Sequence, residues 1–316
     1  MDKKLTFHKP LFEEAAQLSK IYALRDNKTC DSTVLDTYIW KNMYSTEIYT
    51  DEDGALVLMK DEKGYFAAMP YCSKENLPRY FEMLKEYFHN ELHCPLRIDL
   101  ADEDALRELG LSDNSEYIVE ESELKDYIYD AGELRSLQGK KYQKKRNLVN
   151  KFMKEYEGRW AYKTLCCVDE YFLEKFMDKW VDKRLSEGVE SRDTLLTEKE
   201  GVIDILRNCD KVTFRVGGIF IDEMLEAFTI GSYNERERMA VISIEKGNSQ
   251  IPGIYQVINQ QFLLNSYEDA QLVNREDDMG LEGLRQAKES YNPIGYARKY
   301  RILEKAMCNQ TYGKIA

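Results

Sequence analysis

Apolar residues recur at helical spacing in some stretches of the chain and form short strand-like runs in others. Between Leu11 and Arg25, for example, Leu11, Ala15, Leu18 and Tyr22 share one helical face. The first half is predicted to contain, in order, a strand, two helices, three strands, a helix, a strand, a short helix and closing strands. Their bounds are Leu5–His8, Leu11–Arg25, Val34–Tyr44, Thr46–Thr50, Ala55–Lys60, Gly64–Pro70, Leu77–Leu92, Leu96–Leu100, Asp102–Leu109, Tyr117–Glu120 and Tyr127–Tyr129.

The second half repeats this order of elements without visible sequence identity to the first. Both halves therefore follow the order β-α-α-β-β-β-α-β-α-β. The predicted elements of the second half are Trp160–Cys166, Glu170–Leu185, Lys199–Asn208, Val212–Val216, Glu223–Gly231, Met239–Glu245, Gly253–Asn265, Gln271–Asn274, Gly280–Ser290 and Tyr300–Leu303.

A basic segment lies between the two halves. From Leu134 to Lys154 the chain has no acidic residue, and Leu148, Val149 and Phe152 supply one apolar helical face. Its basic residues are Arg135, Lys140, Lys141, Lys144, Lys145, Arg146, Lys151 and Lys154. We predict a first lobe at 1–132, a basic linker helix at 133–155 and a second, active lobe at 156–316.

Composition limits the class of protein. The chain has 316 residues, 43% of them hydrophobic, and a net charge of −12, which fits a globular protein of two domains. No apolar run is long enough for a membrane span, and the first residues lack the apolar core of a secretory signal. The seven cysteines are odd in number and lack metal spacing, so we expect reduced thiols and a cytoplasmic location.

The repeated order of elements resembles that of GCN5-related N-acyltransferases (GNAT). That fold binds its acyl donor with the fourth strand, the turn after it and the next helix. Here these are the strand Met239–Glu245, the turn Lys246–Gly253 and the helix that begins at Ile254. A helix N-terminus attracts anions, so Lys246, Gly253, Tyr255 and Gln256 are predicted to bind the donor. The fold class is then α/β with mixed sheets, in two tandem GNAT-like acyl-CoA N-acyltransferase lobes.

Longer motifs narrow the resemblance to one family. Gly139–Asn147, Ile244–Lys246, Gly253–Asn259, Asn274–Pro293 and Lys299–Tyr300 are similar to the uncharacterised bacterial proteins related to the C-terminal catalytic domain of phosphatidylglycerol lysyltransferase. Fem-type peptidyltransferases resemble the chain more distantly. The resemblance covers nearly the whole chain. It implies transfer of an aminoacyl group from tRNA, and no integral membrane segment accompanies it here.

The end of the fourth strand and the segment 274–291 carry the candidate chemistry. Glu245 ends an apolar strand and is predicted to be the general base. The alternative is a structural ion pair with Lys246, Arg275 or Lys288. Tyr291 is the candidate acid, or else a buried tyrosine that holds the loop before Pro293. Polar groups after a strand often line a ligand crevice. Those predicted to bind the acceptor are Asn274, Arg275, Glu276 and Lys288.

The basic segment has two interpretations. In the first, its cations bind phosphates of tRNA or of another donor, and the residues proposed are Lys141, Lys144, Arg146 and Asn147. In the second, they form a solvated face that pairs with the acidic lobes. The concentration of positive charge in a chain of net charge −12 favours binding.

Other site chemistries are disfavoured. His89 and His93 are four residues apart, but no H-E-x-x-H motif and no third ligand accompany them, so no metal site is predicted. The chain has no phosphate-binding P-loop motif and no dinucleotide fingerprint. The first lobe lacks glycine after its fourth strand, in Pro70–Glu75, and is expected to serve as a scaffold.

Three functions therefore stay open. The first is an enzyme that transfers an acyl or aminoacyl group, from acyl-CoA or aminoacyl-tRNA, to an amine or hydroxyl of a small molecule or peptide. The second is a non-catalytic protein that binds tRNA or a nucleotide. The third is an ordinary coenzyme A-dependent acetyltransferase. The sequence names neither the donor nor the acceptor.

Overall fold

A computed structural model describes residues 5–188 and 191–305. Helices and strands of the first part are α1 Ala15–Tyr22, α2 Val34–Trp40, β1 Glu47–Thr50, β2 Gly54–Asp61, β3 Gly64–Ala68, β4 Tyr71–Cys72, α3 Leu77–Asn90, β5 Arg97–Asp102, α4 Glu103–Glu108, β6 Tyr117–Glu121, β7 Asp126–Asp130, α5 Ala131–Ser136 and α6 Gln143–Glu155. Short 3-10 turns lie at Phe12–Glu14, Cys30–Ser32, Leu111–Asp113 and Lys140–Tyr142.

The remaining elements are β8 Trp160–Leu165, a 3-10 turn at Cys167–Asp169, α7 Glu170–Glu187, α8 Arg192–Arg207, β9 Arg215–Ile221, β10 Met224–Asn234, β11 Met239–Gly247, α9 Ile254–Ser266, β12 Leu272–Asn274, α10 Glu282–Glu289, β13 Gly295–Ala297 and β14 Lys299–Glu304. Among the described residues, no helix is both long enough and apolar enough to cross a membrane.

Two mixed sheets organise the chain, which confirms the predicted α/β class with mixed sheets. The first sheet has the order β1-β2-β3-β5-β14-β6, with β4 beside β2. The second has the order β13-β7-β12-β11-β10-β9-β8. In both sheets a single parallel pair accompanies antiparallel neighbours, namely β3 with β5 and β11 with β12.

The two sheets exchange strands. The C-terminal strand β14 lies in the first sheet, where Ile302 pairs with Ile98 on one side and with Val119 on the other. Conversely, β7 from the first half lies in the second sheet, where Tyr129 pairs with Val273. The last strand of each predicted lobe, 1–132 and 156–316, therefore belongs to the sheet of the other lobe.

The predicted linker helix 133–155 is interrupted. It consists of α5, a break at Leu137–Gly139 and α6, because Leu137 and Gly139 both adopt positive φ angles, of 50° and 83°. The Arg146 guanidinium donates to the main-chain carbonyls of both residues and so stabilises the break. Elsewhere, the predicted strand Leu5–His8 is reduced to a single bridge between His8 and Ile48, and β4 and β13 were not predicted.

One apolar core runs through both lobes. Tyr38 and Ile39 of α2 pack in the same cluster as Val202 and Ile205 of α8. The helices approach so closely that a side chain at Gly201 would overlap the main-chain carbonyl of Ile39. The lobes are therefore joined by buried apolar surface as well as by exchanged strands.

The expectation of seven reduced thiols is wrong for two of them. Cys167 forms a disulfide with Cys209 and so ties the start of α7 to the end of α8. The sequence could not indicate this pair, because the two residues are 42 positions apart. Free thiols are present at Cys30, Cys72, Cys94 and Cys166, and Cys308 lies outside the described residues.

Candidate functional site

The strands β11 and β12 diverge in the middle of the second sheet. They pair only from Met239 to Val241 on β11, after which β11 continues to Gly247. The chain after β12 follows β7 instead, since the Arg275 amide donates to the Tyr127 carbonyl at 3.1 Å. A wedge thus opens between the C-terminal half of β11 and the segment that begins at Arg275.

A β-bulge changes which side chains of β11 face the wedge. On β10, Ile230 pairs with Ile244 and Gly231 pairs with Ile242, so Ser243 is an extra residue without a partner. Bulges of this kind re-aim side chains and are frequent next to functional sites. The Ser243 hydroxyl is buried and has no hydrogen-bond partner in 5–188 and 191–305.

Glu245 and Arg275 bridge the wedge. One Arg275 nitrogen donates to Glu245 Oε1 at 2.7 Å, and the Asn259 amide donates to Oε2 at 3.2 Å. Both charged side chains are almost buried, with 12% and 11% exposed. The other terminal nitrogen of Arg275, Nη1, is buried and has no hydrogen-bond acceptor among the described residues.

Tyr291 completes this side of the wedge. The Arg275 guanidinium lies 4.7 Å from the centre of the Tyr291 ring, and the Lys145 ammonium lies 4.0 Å from it. Burial raises the pKa of Tyr291 to about 12, while the positive charge of Arg275 limits the rise. The Tyr291 hydroxyl makes no well-formed hydrogen bond within the described chain. Burial, followed by the charge of Arg275, lowers the pKa of Lys145 to about 8.

Five carboxylates and two ammonium groups meet on the other side of the segment, at the junction of the lobes. We call this set the central acid cluster: Asp31, Asp36, Asp126, Glu276 and Asp277 with Lys288 and Lys299. Lys299 lies 2.9 Å from Asp126, 3.6 Å from Asp31 and 3.7 Å from Asp277. Lys288 donates to the main-chain carbonyls of Arg275 and Asp277.

The four predicted acceptor residues are thus close together. They differ in whether they keep a polar atom that is not already hydrogen-bonded and could bind a ligand. The Asn274 amide is committed to Asp126 at 3.0 Å and to the Lys28 carbonyl at 2.8 Å. Lys288 is committed to loop carbonyls. Arg275 and Glu276 each keep one buried atom without a partner among the described residues. Their assignment to acceptor binding stays a prediction.

Side-chain hydrogen bonds already occupy the predicted donor turn, Lys246–Gly253. The Tyr255 hydroxyl donates to the Gly247 carbonyl at 3.0 Å, across the turn. Lys183 of α7 donates to the Ser249 hydroxyl at 2.6 Å. Lys246 faces α7 and α8, where it pairs with Glu198 at 2.8 Å and lies 3.5 Å from the Trp180 ring centre.

Gln256 and Gly253 differ in what they contribute at the start of α9. Gln256 lies next to Tyr291 and helps to limit the rise of its pKa. Gly253 has a φ of 90°, and an added Cβ would lie 2.5 Å from the Leu148 carbonyl oxygen of α6. Packing against α6 and the backbone angle are sufficient to explain the glycine.

Replacing Gly253 by alanine should therefore destabilise the fold. A left-handed backbone angle alone disfavours alanine by about 1–2 kcal/mol, and the clash with Leu148 adds to it. Gly283→Ala is the matched control, because a Cβ there would meet nothing within 4 Å and stability should hold or rise slightly. Chemical denaturation of the two variants measures the difference, and equal midpoints would contradict this explanation of Gly253.

The basic segment presents only part of its charge to solvent. Lys141 pairs with Glu133 at 2.6 Å, Arg146 is used by the break after α5, and Asn147 accepts from Gln143 at 2.8 Å. Another set of lysines is exposed and forms no ion pair within the described ranges. These are Lys140, in the 3-10 turn before α6, and Lys144, Lys151 and Lys154, which lie at helical spacing along α6.

Sequence reasoning missed the part of the site that comes from the first lobe. Asp36 on α2 and Cys30 in the preceding turn lie more than 200 residues before Glu276 in the chain. A buried aspartate at an otherwise apolar helical position was the available signal for Asp36. Lys145 was counted only as one of the basic residues, although its ammonium lies against Tyr291. His89 bonds to Glu304, and His93 to the His89 carbonyl.

Comparison with known proteins identifies the family. The profile described as phosphatidylglycerol lysyltransferase, C-terminal, matches residues 22–303. An uncharacterised protein of Mycoplasmoides gallisepticum is 27% identical over 191 residues, which span 60% of this chain and 59% of that protein.

Two solved structures share the fold. A conserved protein of unknown function from Bacteroides thetaiotaomicron has a TM-score of 0.86 at 23% identity, over 96% of this chain and 100% of that one. L-PGS from Bacillus licheniformis has a TM-score of 0.65 at 13% identity, over 95% and 94% of the two chains. The chain belongs to the family of the C-terminal domain of phosphatidylglycerol lysyltransferase.

Proposed function

We propose that the wedge transfers an aminoacyl group from a charged tRNA to an amine or hydroxyl of a small-molecule or peptide acceptor. One observation carries the proposal. A carboxylate, a guanidinium nitrogen and a phenol hydroxyl converge where β11 and β12 diverge, and the last two make no well-formed hydrogen bond among the described residues. These are the groups that acyl transfer to a nucleophile needs.

The chemistry follows from their positions. Glu245 takes the proton of the attacking amine or hydroxyl as the new bond to the carbonyl carbon forms. Arg275 Nη1 stabilises the negative charge that develops on the carbonyl oxygen. Tyr291 donates a proton to the ribose oxygen as the ester bond breaks. The proton that Glu245 took from the nucleophile then returns to the Tyr291 phenolate, which regenerates both side chains. Preorganised donors of this kind act strongly because the site is buried.

The donor is better matched by tRNA than by coenzyme A. The Tyr255 hydroxyl spans the turn in which an acyl-CoA pyrophosphate would have to lie. The exposed lysines of the basic segment, by contrast, form a stripe along α6 without carboxylate partners in the described chain. Such a stripe suits a phosphate backbone. The non-catalytic alternative shares these features, but it predicts tRNA binding without turnover, and such a protein would tolerate the loss of Glu245.

The stripe gives a direct test of the donor. Lys144→Glu combined with Lys151→Glu should weaken tRNA binding and make the slope of log affinity against log salt shallower, by about 0.7–0.9 for each phosphate that the protein no longer neutralises. Lys9→Glu with Lys20→Glu is the control, since both lysines are exposed on the first lobe. Filter binding over a salt series measures both pairs. Equal affinities and slopes for the two double variants would remove tRNA from the proposal.

A further inference from the structure

We propose that Cys30, Asp36 and Glu276 bind one divalent cation of the zinc type at the junction of the lobes. One ligand atom from each, a sulfur and two carboxylate oxygens, lies within 4.8 Å of the others. The three come from the turn before α2, from α2 and from the segment after β12. Zinc binds sulfur at about 2.3 Å and oxygen at about 2.0–2.2 Å. The three ligand atoms would therefore have to move about 1 Å closer to one another to coordinate one ion.

Unsatisfied atoms point to a ligand at this place. Asp36 is 7% exposed, and its Oδ1 makes no well-formed hydrogen bond in the described part of the chain, although the Ser243 hydroxyl lies beside the carboxylate. Glu276 Oε1 also makes none there. Buried carboxylate oxygens are normally paired, because an unpaired one forfeits its hydration. A cation between Asp36 and Glu276 satisfies both.

The charge balance allows a divalent ion in spite of the nearby lysines. The central acid cluster has five carboxylates against two ammonium groups. Adding a Cys30 thiolate and a doubly charged cation leaves the set at about −2 if every group is ionised. Lys299 is already held by three of the carboxylates, and its ammonium also lies 3.1 Å from Cys30 Sγ, where it supports the thiolate.

The donor set selects the class of metal. One thiolate with two carboxylates suits zinc or cobalt(II), whereas magnesium and calcium prefer six or more oxygen ligands. Three protein ligands leave a fourth position for water or a substrate group. A primary ammonium would use the two carboxylates and have no need of the thiol, which makes Cys30 the discriminating residue.

Cobalt(II) titration of the disulfide-intact protein tests the proposal. We expect one ion per chain with a thiolate-to-cobalt charge-transfer band, displaced by zinc. Cys30→Ser should abolish the band and weaken zinc binding by at least about 100-fold. Mutating residues that only support metal ligands costs up to about 100-fold, and loss of a ligand should cost at least as much. Cys72→Ser is the matched control, since it removes another buried free thiol and should keep both signals. Exposed Cys166 is replaced by serine in every variant.

Glu276→Gln provides a second variant that preserves the volume of the side chain. It should lose zinc affinity while the circular dichroism spectrum is unchanged. The same band in Cys30→Ser and in Cys72→Ser, or no zinc binding at micromolar concentration by the folded wild type, would overturn the proposal. Binding of lysine amide in place of zinc, indifferent to Cys30→Ser, would also overturn it. Since the readout is metal binding, failure of the proposed transfer reaction would leave this result untouched.

Discussion

Arg275→Met is expected to destabilise the protein by about 3–5 kcal/mol, the range for removing one partner of a buried ion pair. The substitution leaves the Glu245 carboxylate in a site where only 12% of that side chain is exposed. It also removes the guanidinium that lies over the Tyr291 ring. Urea unfolding followed by tryptophan fluorescence measures the destabilisation.

Two further variants separate burial from charge. Adding Glu245→Gln to Arg275→Met should restore part of the stability, because it removes the unpaired charge. Arg159→Met breaks an ion pair with Asp222 in which both side chains are 54% exposed, and it should have little measurable effect. Similar destabilisation by Arg159→Met and by Arg275→Met would show that the wedge does not bury its ion pair as described.

Tyr291→Phe is expected to lower turnover by about 100-fold or more while stability changes by about 1 kcal/mol or less. The hydroxyl makes no well-formed hydrogen bond in the described chain, so the fold loses little when it is removed. The leaving ribose oxygen loses its proton donor. Turnover is measured as the transfer of labelled amino acid from charged tRNA to the acceptor.

A second tyrosine in the same lobe supplies the control. Tyr267 is 4% exposed, as is Tyr291, and its hydroxyl is likewise buried without a partner among the described residues. Tyr267 follows α9 and packs on Phe262, away from the wedge. Tyr267→Phe should match Tyr291→Phe in stability and the wild type in turnover. Equal, measurable turnover in Tyr291→Phe and the wild type would show that Tyr291 is not the proton donor, and no turnover in either would favour the non-catalytic alternative.

Local pattern predicted much of the second lobe. The spacing of apolar residues located β8, α7, β10, β11 and α9 to within a few residues, because each element has a face to bury. Since Glu245 ends one strand and Arg275 follows the next, the order of elements also indicated that both would lie at one site. Their ion pair was the alternative considered for Glu245, and its 2.7 Å geometry confirms that contact.

Long-range features could not be predicted from the same pattern. Nothing local distinguishes β14 as a strand of the first sheet or β7 as a strand of the second, since pairing partners are chosen by the tertiary fold. For the same reason, the sequence did not predict which way the Lys246 side chain points. It faces Glu198 and Trp180, which lie on helices far from it in the chain. Asp36 and Cys30 joined the site only through the packing of one lobe against the other.

Transfer of an aminoacyl group from tRNA in this wedge is tested most directly by following radiolabelled amino acid, lysine first, from a charged bacterial tRNA pool into acceptors of a bacterial extract. We expect wild-type protein to move the label faster than Tyr291→Phe does, and excess acetyl-coenzyme A to leave the unfolding temperature unchanged. The opposite result is a label that stays on tRNA for every amino acid, together with stabilisation by acetyl-coenzyme A of about 2.7 kcal/mol at 100 times its dissociation constant. It would show that the wedge does not use an aminoacyl-tRNA donor.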